Sequence, residues 1–269
     1  MTRWTQQQMP SLRQCPRWLQ PQNLLMNRKK KISLLAILIL LTVGIYAFTR
    51  PKSDNDSFIS YKVDLKKQNL KLYWKNDKNE PFQSLGNLKN WLAKNKQTLV
   101  FAMNAGMYTT DNSPLGLFIQ DKKTITTINK RSRDGNFYLK PNGVFYTTTD
   151  NIATICKTEN FVANSKIKYA TQSGPMLVIN GQIHPDFVSG SKNLNIRNGV
   201  GILPNNTIIF VMSKKEINFY DFAKYFKDLG CTNALYLDGF VSRTYLPEKQ
   251  WTEIDGNFGV IVGVTINTP

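Results

Sequence analysis

Two hydrophobic periodicities divide the chain. Within 84–95, Leu85, Leu88, Trp91 and Leu92 recur at helical spacing, and Ser84 stands where an N-cap would. Phe219, Phe222, Ala223, Phe226 and Leu229 form a second apolar stripe over 219–229, with Gly230 placed as a terminating glycine. Elsewhere apolar residues alternate with polar ones or run in short blocks bounded by turn formers. These blocks predict two strands within 58–74 and further strands over 98–103, 115–119, 124–128, 137–139, 143–148, 152–156, 168–172, 176–179, 199–203, 207–212, 233–237 and 258–266. Asn142-Gly143, Asn180-Gly181 and Asn205-Asn206 mark turns between them. Many strands, two helices and no regular strand–helix alternation predict an α+β fold, a mixed, sheet-rich single domain over 58–269.

A different pattern precedes that domain. Residues 32–48 read ISLLAILILLTVGIYAF, an uncharged run of 17 residues at the short end for a membrane span. Arg28, Lys29, Lys30 and Lys31 come immediately before it. A basic flank stays in the cytoplasm, so 1–31 is expected to be a cytoplasmic tail, 32–48 a signal-anchor in the membrane, and 49–57 a polar linker. The domain would then face the periplasm or the cell exterior. The rival reading is a cleaved signal peptide and a secreted domain. Residues 1–25 are rich in Gln, Pro, Trp and Arg without periodicity. They read as a disordered tail, or else Met26, which opens a conventional signal n-region, is the true start.

Charge is uneven along the chain. Residues 1–50 hold eight of the 35 basic residues and no acid, so the remainder carries 27 basic and 18 acidic residues, a net +9. That excess is either a solvated lysine-rich surface or an attraction for an anionic envelope polymer or a phosphate-bearing glycan. No basic helix or aromatic-plus-basic motif points to nucleic acid, so none is expected as a partner. Cys156 and Cys231 show no metal spacing and read as small hydrophobes, with a disulfide as the alternative. His184 is the only histidine, too few for zinc catalysis, and no G-x-S-x-G elbow supports a serine triad around it. No glycine-rich nucleotide loop is present. No cofactor is therefore expected, although Ca²⁺ held by Asp and backbone oxygens needs no fixed motif and stays open.

The candidate chemistry sits where apolar runs end. Asn104-Ala105-Gly106 follows TLVFAM, Ser173-Gly174 follows KYAT and one Gln, and Asp238-Gly239 follows NALYL. Polar residues at strand ends can converge on one cleft while the strands hold them rigid. Asp238 is either a turn aspartate bonded to its own backbone or an active carboxylate. Arg197, before Asn198-Gly199, is either a surface residue or a planar fork for phosphate. Asn104 and Ser173 could orient a sugar hydroxyl or a phosphate oxygen, with Gly106 and Gly174 letting backbone N–H groups approach an anion. Asn142 reads first as a turn residue and second as a ligand contact. Asp111 and Asp186 read as solvated loop acids, with a second carboxylate or cation ligand as the alternative.

MNAGMY with SPLGLFI, FYLKPNGVFY, YATQSGPMLVINGQIHP, IRNGVGI and NFYDFAKYFKDLGCTNALYLDG, in that order, resemble the phosphodiester glycosidase domain family over about 98–264. The resemblance implies hydrolysis of the glycosidic bond of a sugar-1-phosphodiester, here in an envelope or extracellular glycan. A phosphate leaving group is already a stable anion, so one carboxylate and one arginine would suffice where ordinary glycosidases use two carboxylic acids. Asp238 and Arg197 would be catalytic, and Asn104, Gly106, Ser173, Gly174 and Asn142 would bind substrate. One departure is Phe240, which follows Gly239 where the resemblance implies a second small residue and which bears on the cleft width beside Asp238. The alternative is a protein that binds envelope glycan or a phosphodiester polymer without turning it over.

Overall fold

The computed structural model describes residues 57–238 and 241–268. The expected tail, signal-anchor and all of the linker except residue 57 lie outside the described residues, as do Gly239 and Phe240. Among the described residues, no helix is long and apolar enough to cross a membrane.

The described chain runs β1 (Phe58–Val63), β2 (Asn69–Tyr73), α1 (Leu85–Lys94), β3 (Gln97–Asn104), β4 (Phe118–Gln120), β5 (Lys123–Thr126), β6 (Gly143–Thr148), β7 (Ala153–Lys157) and β8 (Ile167–Ser173). It continues with β9 (Met176–Ile179), β10 (Gln182–Ile183), β11 (Asn198–Ile202), β12 (Ile208–Ser213), α2 (Phe219–Asp228), β13 (Asn233–Asp238), β14 (Thr244–Leu246), β15 (Trp251–Thr252) and β16 (Ile261–Asn267). The strands form three sheets, ordered β1-β12-β11-β13-β9-β10, β15-β14-β3-β16-β2 and β5-β4-β8-β6-β7. This is the sheet-rich α+β architecture with two helices that the hydrophobic pattern predicts.

One buried cluster draws on all three sheets. It includes Phe101 and Val262 from the second, Phe118 and Phe145 from the third, and Val200, Phe210, Leu235 and Leu237 from the first. On the other face of the first sheet, α2 buries Phe219, Phe222, Ala223 and Phe226 against Leu177, Ala234 and Tyr236. Strand β13 is thus covered on both faces, which is why its sequence is a continuous apolar run rather than an alternation. Helix α1 covers the second sheet through Leu85, Leu88 and Leu92.

The helix ends follow their sequence signals. Ser84 Oγ accepts from the Asn87 N–H at 3.1 Å, and Asn218 Oδ1 accepts from the Asp221 N–H at 2.8 Å. Gly230 takes φ +86° while its N–H donates to Lys227 O and the Cys231 N–H donates to Phe226 O. That pair of bonds is a Schellman cap, and the positive φ favours glycine.

Three strand expectations are corrected. Residues 137–139 are not a strand: Asn136–Tyr138 is a 3₁₀ turn that buries Phe137, and a three-residue apolar block has the same composition in either state. Strand β4 starts at Phe118 rather than 115, because the Leu117 N–H goes to the Gln172 side chain at 3.0 Å. The last strand starts at Ile261 rather than 258, since the Phe258 N–H pairs with Gln83 O instead. Short β10, β14 and β15 carried too few residues to show a period. Cys156 and Cys231 are free thiols, the second fully packed.

Candidate functional site

Three strands, one from each sheet, end together. β3 ends at Asn104, β8 at Ser173 and β13 at Asp238. Each leaves an apolar core with a polar residue at its last position, and buried polar groups of this kind need partners. Asn104 Nδ2 donates to Asp238 Oδ2 at 3.2 Å. Ser173 Oγ donates to Leu237 O at 2.8 Å, tying β8 to the residue before Asp238.

Asn198, to which sequence reading assigned no role, closes the arrangement. Its Nδ2 donates to Asn104 Oδ1 at 2.8 Å and Asn104 O at 2.9 Å, and its Oδ1 accepts from the Asp238 N–H at 2.8 Å. Asn198 stands opposite Asp238 in the β11–β13 pairing. The Arg243 N–H donates to Asn104 Oδ1 at 2.9 Å, and Ser242 Oγ donates to Asp238 O at 2.8 Å. These bonds set the Asn104 amide with its nitrogen toward the carboxylate. The signal for Asn198 was available: an amide at the start of a strand that is buried throughout must bond something.

Asp238 is only 6% exposed, yet it lines an open hollow of about 330 Å³ with Met107, Tyr108, Thr109, Thr110 and Leu115. Burial first and the Asp238 charge second push the Tyr108 phenol up to about 12, so it stays protonated at neutral pH. Its hydroxyl donates to Asn257 O at 2.7 Å. Tyr236 also titrates above the usual tyrosine range, chiefly through burial, with Arg197 opposing and Asp238 adding to the shift.

Arg197 does not present the outward fork expected for phosphate. It is fully buried, with its guanidinium carbon 3.6 Å from the Phe219 ring centroid. Nε donates to Ile217 O at 2.8 Å, one terminal nitrogen to Tyr236 Oη at 3.2 Å, and the other to Asn193 O and Oδ1 at 2.9 and 3.0 Å. These groups come from its own chain, so in this arrangement the guanidinium staples the 193–197 segment and Ile217 to β13. Burial lowers its pKa from the ordinary value.

The other expected residues divide between two places. Gly106 takes φ +114°, and a Cβ there would collide with Thr171 Oγ1, so packing as well as backbone conformation requires glycine. Ser173 is fully buried and its hydroxyl proton is engaged. Asn142 and Gly174 meet each other instead of Asp238. A Cβ on Gly174 would lie 2.6 Å from Asn142 Cβ, and Asn142 Nδ2 donates to Phe137 O at 2.8 Å. Asn142 lines another, basic hollow, whose lining does not include Asp238.

Asp111 is a loop acid whose carboxyl is held below its ordinary value by hydrogen bonds from the Thr109 and Ser113 hydroxyls. The Asp186 N–H donates to His184 Nδ1 at 3.2 Å. Among the described residues, no group of three His, Cys, Asp or Glu side chains could hold a metal ion.

The family model for phosphodiester glycosidases matches residues 97–265. The chain is similar to the uncharacterized protein YigE of Escherichia coli strain K12, 37% identical over 188 residues, which span 70% of this chain and 73% of that one. Among solved structures it is similar to the catalytic domain of zebrafish N-acetylglucosamine-1-phosphodiester alpha-N-acetylglucosaminidase, auto-inhibited by its pro-peptide. The TM-score is 0.54 and the identity 13%, over 79% of this chain and 84% of that one, a likeness of fold.

Proposed function

The chain belongs to the phosphodiester glycosidase family, and from that membership we propose that it hydrolyses the glycosidic bond of a sugar-1-phosphodiester. The substrate would be an envelope or extracellular glycan met outside the cytoplasmic membrane, with the uncharged 32–48 segment as the anchor. The observation that carries the reading is Asp238. A turn aspartate has no need of a second strand's amide to orient it, nor of a place on the wall of a hollow. Asp238 has both.

The chemistry follows from the leaving group. Cleavage releases a phosphate monoester, a stable anion that needs no proton to depart, so a single carboxylate can serve. Asp238 either takes a proton from the water that displaces the phosphate, or itself attacks the anomeric carbon, expelling the phosphate and forming a glycosyl ester that water then hydrolyses. Asn104 holds the carboxylate oxygen, and Asn198 holds Asn104, so the geometry is set before substrate arrives. Tyr108, protonated at neutral pH, supplies a polar wall without competing as a base. Arg197 serves as a positioning residue, fixing Tyr236 two residues before Asp238 on β13.

The test is turnover of a panel of sugar-1-phosphodiesters by the full-length protein and its Asp238→Asn variant. The variant keeps size and turn-forming capacity but removes the charge. It should melt as the wild type does and hydrolyse at least ~10²-fold more slowly. Equal kcat in both proteins would refute the role of Asp238. Binding without turnover in the wild type would favour a glycan-binding protein on the same fold.

A further inference from the structure

Three hollows are linked by shared lining residues. The Asp238 hollow shares Leu115 with a second of about 490 Å³, walled by residues 126–131. The second shares Lys130 and Arg131 with a third of about 440 Å³, bounded by Lys140, Asn142, Lys157 and Glu159. The third hollow is strongly basic: four cations stand against one carboxylate in its lining. The acid is partly engaged, since Glu159 pairs with Lys157 at 3.7 Å, and Lys140 Nζ donates to Ser132 Oγ at 2.8 Å.

The walls of the basic hollow are held from the core. Gln172, one residue before Ser173 on β8, is 1% exposed. Its Oε1 accepts from the N–H groups of Leu117 and Asn129 at 3.0 and 2.8 Å. Its Nε2 donates to Asn129 O at 2.7 Å and to Thr158 Oγ1 at 3.2 Å. One buried amide therefore anchors the segment carrying Lys130 and Arg131 to the wall carrying Lys157. Gly116 leaves the room for it, because a Cβ there would sit 2.5 Å from Gln172 Oε1. A merely solvated lysine surface does not call for a core glutamine to hold its two sides.

We infer that the three hollows together form one channel, an extended subsite for the polyanionic part of the substrate, a phosphodiester-linked glycan polymer whose chain runs from the Asp238 hollow into the basic one. The inference rests on reading Asp238 as the reacting centre. It adds that the protein selects phosphate-rich polymers over single sugar phosphodiesters. Among the described residues, no aromatic side chain lines the second or third hollow, and stacking platforms are what hold single-stranded nucleic acid. A repeating backbone phosphate with no base to stack matches the lining. Exposed cations along a groove also steer such a chain, and the effect fades with salt.

The test is binding of poly(glycerol phosphate) to the full-length protein by calorimetry at low and high salt. It compares wild type, Asp238→Asn, the Lys130→Glu/Arg131→Glu double variant, and Lys157→Gln. Wild type and Asp238→Asn should bind alike, which reads the channel independently of turnover. The double variant should bind at least ~10-fold more weakly with a shallower salt dependence, while kcat/KM for a small sugar phosphodiester stays unchanged. Lys157→Gln, which tests the far wall should the double variant lose its fold, should weaken polymer binding alone. Unchanged polymer affinity in the folded variants would overturn the proposal. So would single-stranded DNA binding the wild type as tightly as poly(glycerol phosphate).

Discussion

Asn104 and Asp238 lie 134 positions apart and belong to different sheets, yet the amide of one donates to the carboxylate of the other at 3.2 Å. The polarity of that bond is imposed from behind. Asn104 Oδ1 already accepts from Asn198 Nδ2 and the Arg243 N–H, so only the amide nitrogen can face Asp238.

Asn104→Asp should therefore be worse than a loss of one contact. It places a second carboxylate beside Asp238 and removes the only side-chain donor the position offers. Leaving buried groups unpaired costs about 1–3 kcal/mol each, so the melting temperature should fall at neutral pH and hydrolysis should be lost. Like charges sharing a site raise one carboxyl pKa, so part of the stability should return on acidification. Thermal melts across pH with a matched activity assay check this. A variant as stable and active as wild type would show that the amide is not oriented as described.

Tyr108 reports on Asp238 directly. Burial is the larger cause of its raised pKa and the Asp238 charge the second. A negative neighbour disfavours the phenolate, so Asp238→Asn should lower the Tyr108 pKa from about 12 while leaving it above the ordinary 10, because burial remains. NMR titration of ring-labelled tyrosine, assigned with Tyr108→Phe, measures it. An unchanged Tyr108 titration would mean that the two groups are not electrostatic neighbours.

What was legible depended on whether a feature is local. The apolar stripes of α1 and α2 and the cap at Gly230 are local, and their boundaries hold to within a residue or two. Strand ends could be seen for the same reason, which is why Asn104, Ser173 and Asp238 were found. Which of them face each other is set by the packing of three sheets, a long-range property with no period in the chain. Hence Asn142 and Gly174, expected to bind substrate with Asn104 and Ser173, pack against each other, with Asn142 on the wall of the basic hollow. Asn198 was missed because its two partners are 94 and 40 positions away. Residues 1–56, with the expected anchor, fall outside the described residues.

His184 gives a pH prediction of opposite origin. Its Nδ1 accepts from the Asp186 N–H, so Nε2 carries the proton toward Lys140 O at 3.1 Å, and the ring stacks on Phe187 with centroids 4.7 Å apart. That is a neutral imidazole. Burial lowers its pKa from the ordinary 6.5, outweighing Asp186 and the Lys140 carbonyl. The unfolded chain then binds the proton first as pH falls. Stability from this group is present above about 6.5 and is lost as pH drops toward the folded value. His184→Gln should be less stable at neutral pH but should lose less on acidification through that window. Parallel slopes for the two proteins would exclude His184 as the acid-sensitive group.

Arg197 separates two accounts of one residue. As an outward phosphate fork, it would be replaced poorly by lysine because a point charge cannot make two parallel bonds, and the loss would appear in substrate binding with the fold intact. As arranged, its guanidinium instead bonds Ile217 O, Asn193 O and Oδ1, and Tyr236 Oη, and lies over Phe219. Lysine brings one compact ammonium to a site shaped for a plane, and it cannot reach four acceptors on three separated residues at once. The groups left unpaired should lower stability by about 3 kcal/mol, seen as a lower melting temperature. Slackening around Tyr236 should reduce kcat through Asp238, while KM for a small sugar phosphodiester changes little. The two readouts are taken on one preparation of Arg197→Lys. A normal melt with KM raised at least ~10-fold would mean that the guanidinium turns to the substrate. A lower melt with near-normal KM is the outcome expected of a residue that holds β13 in place.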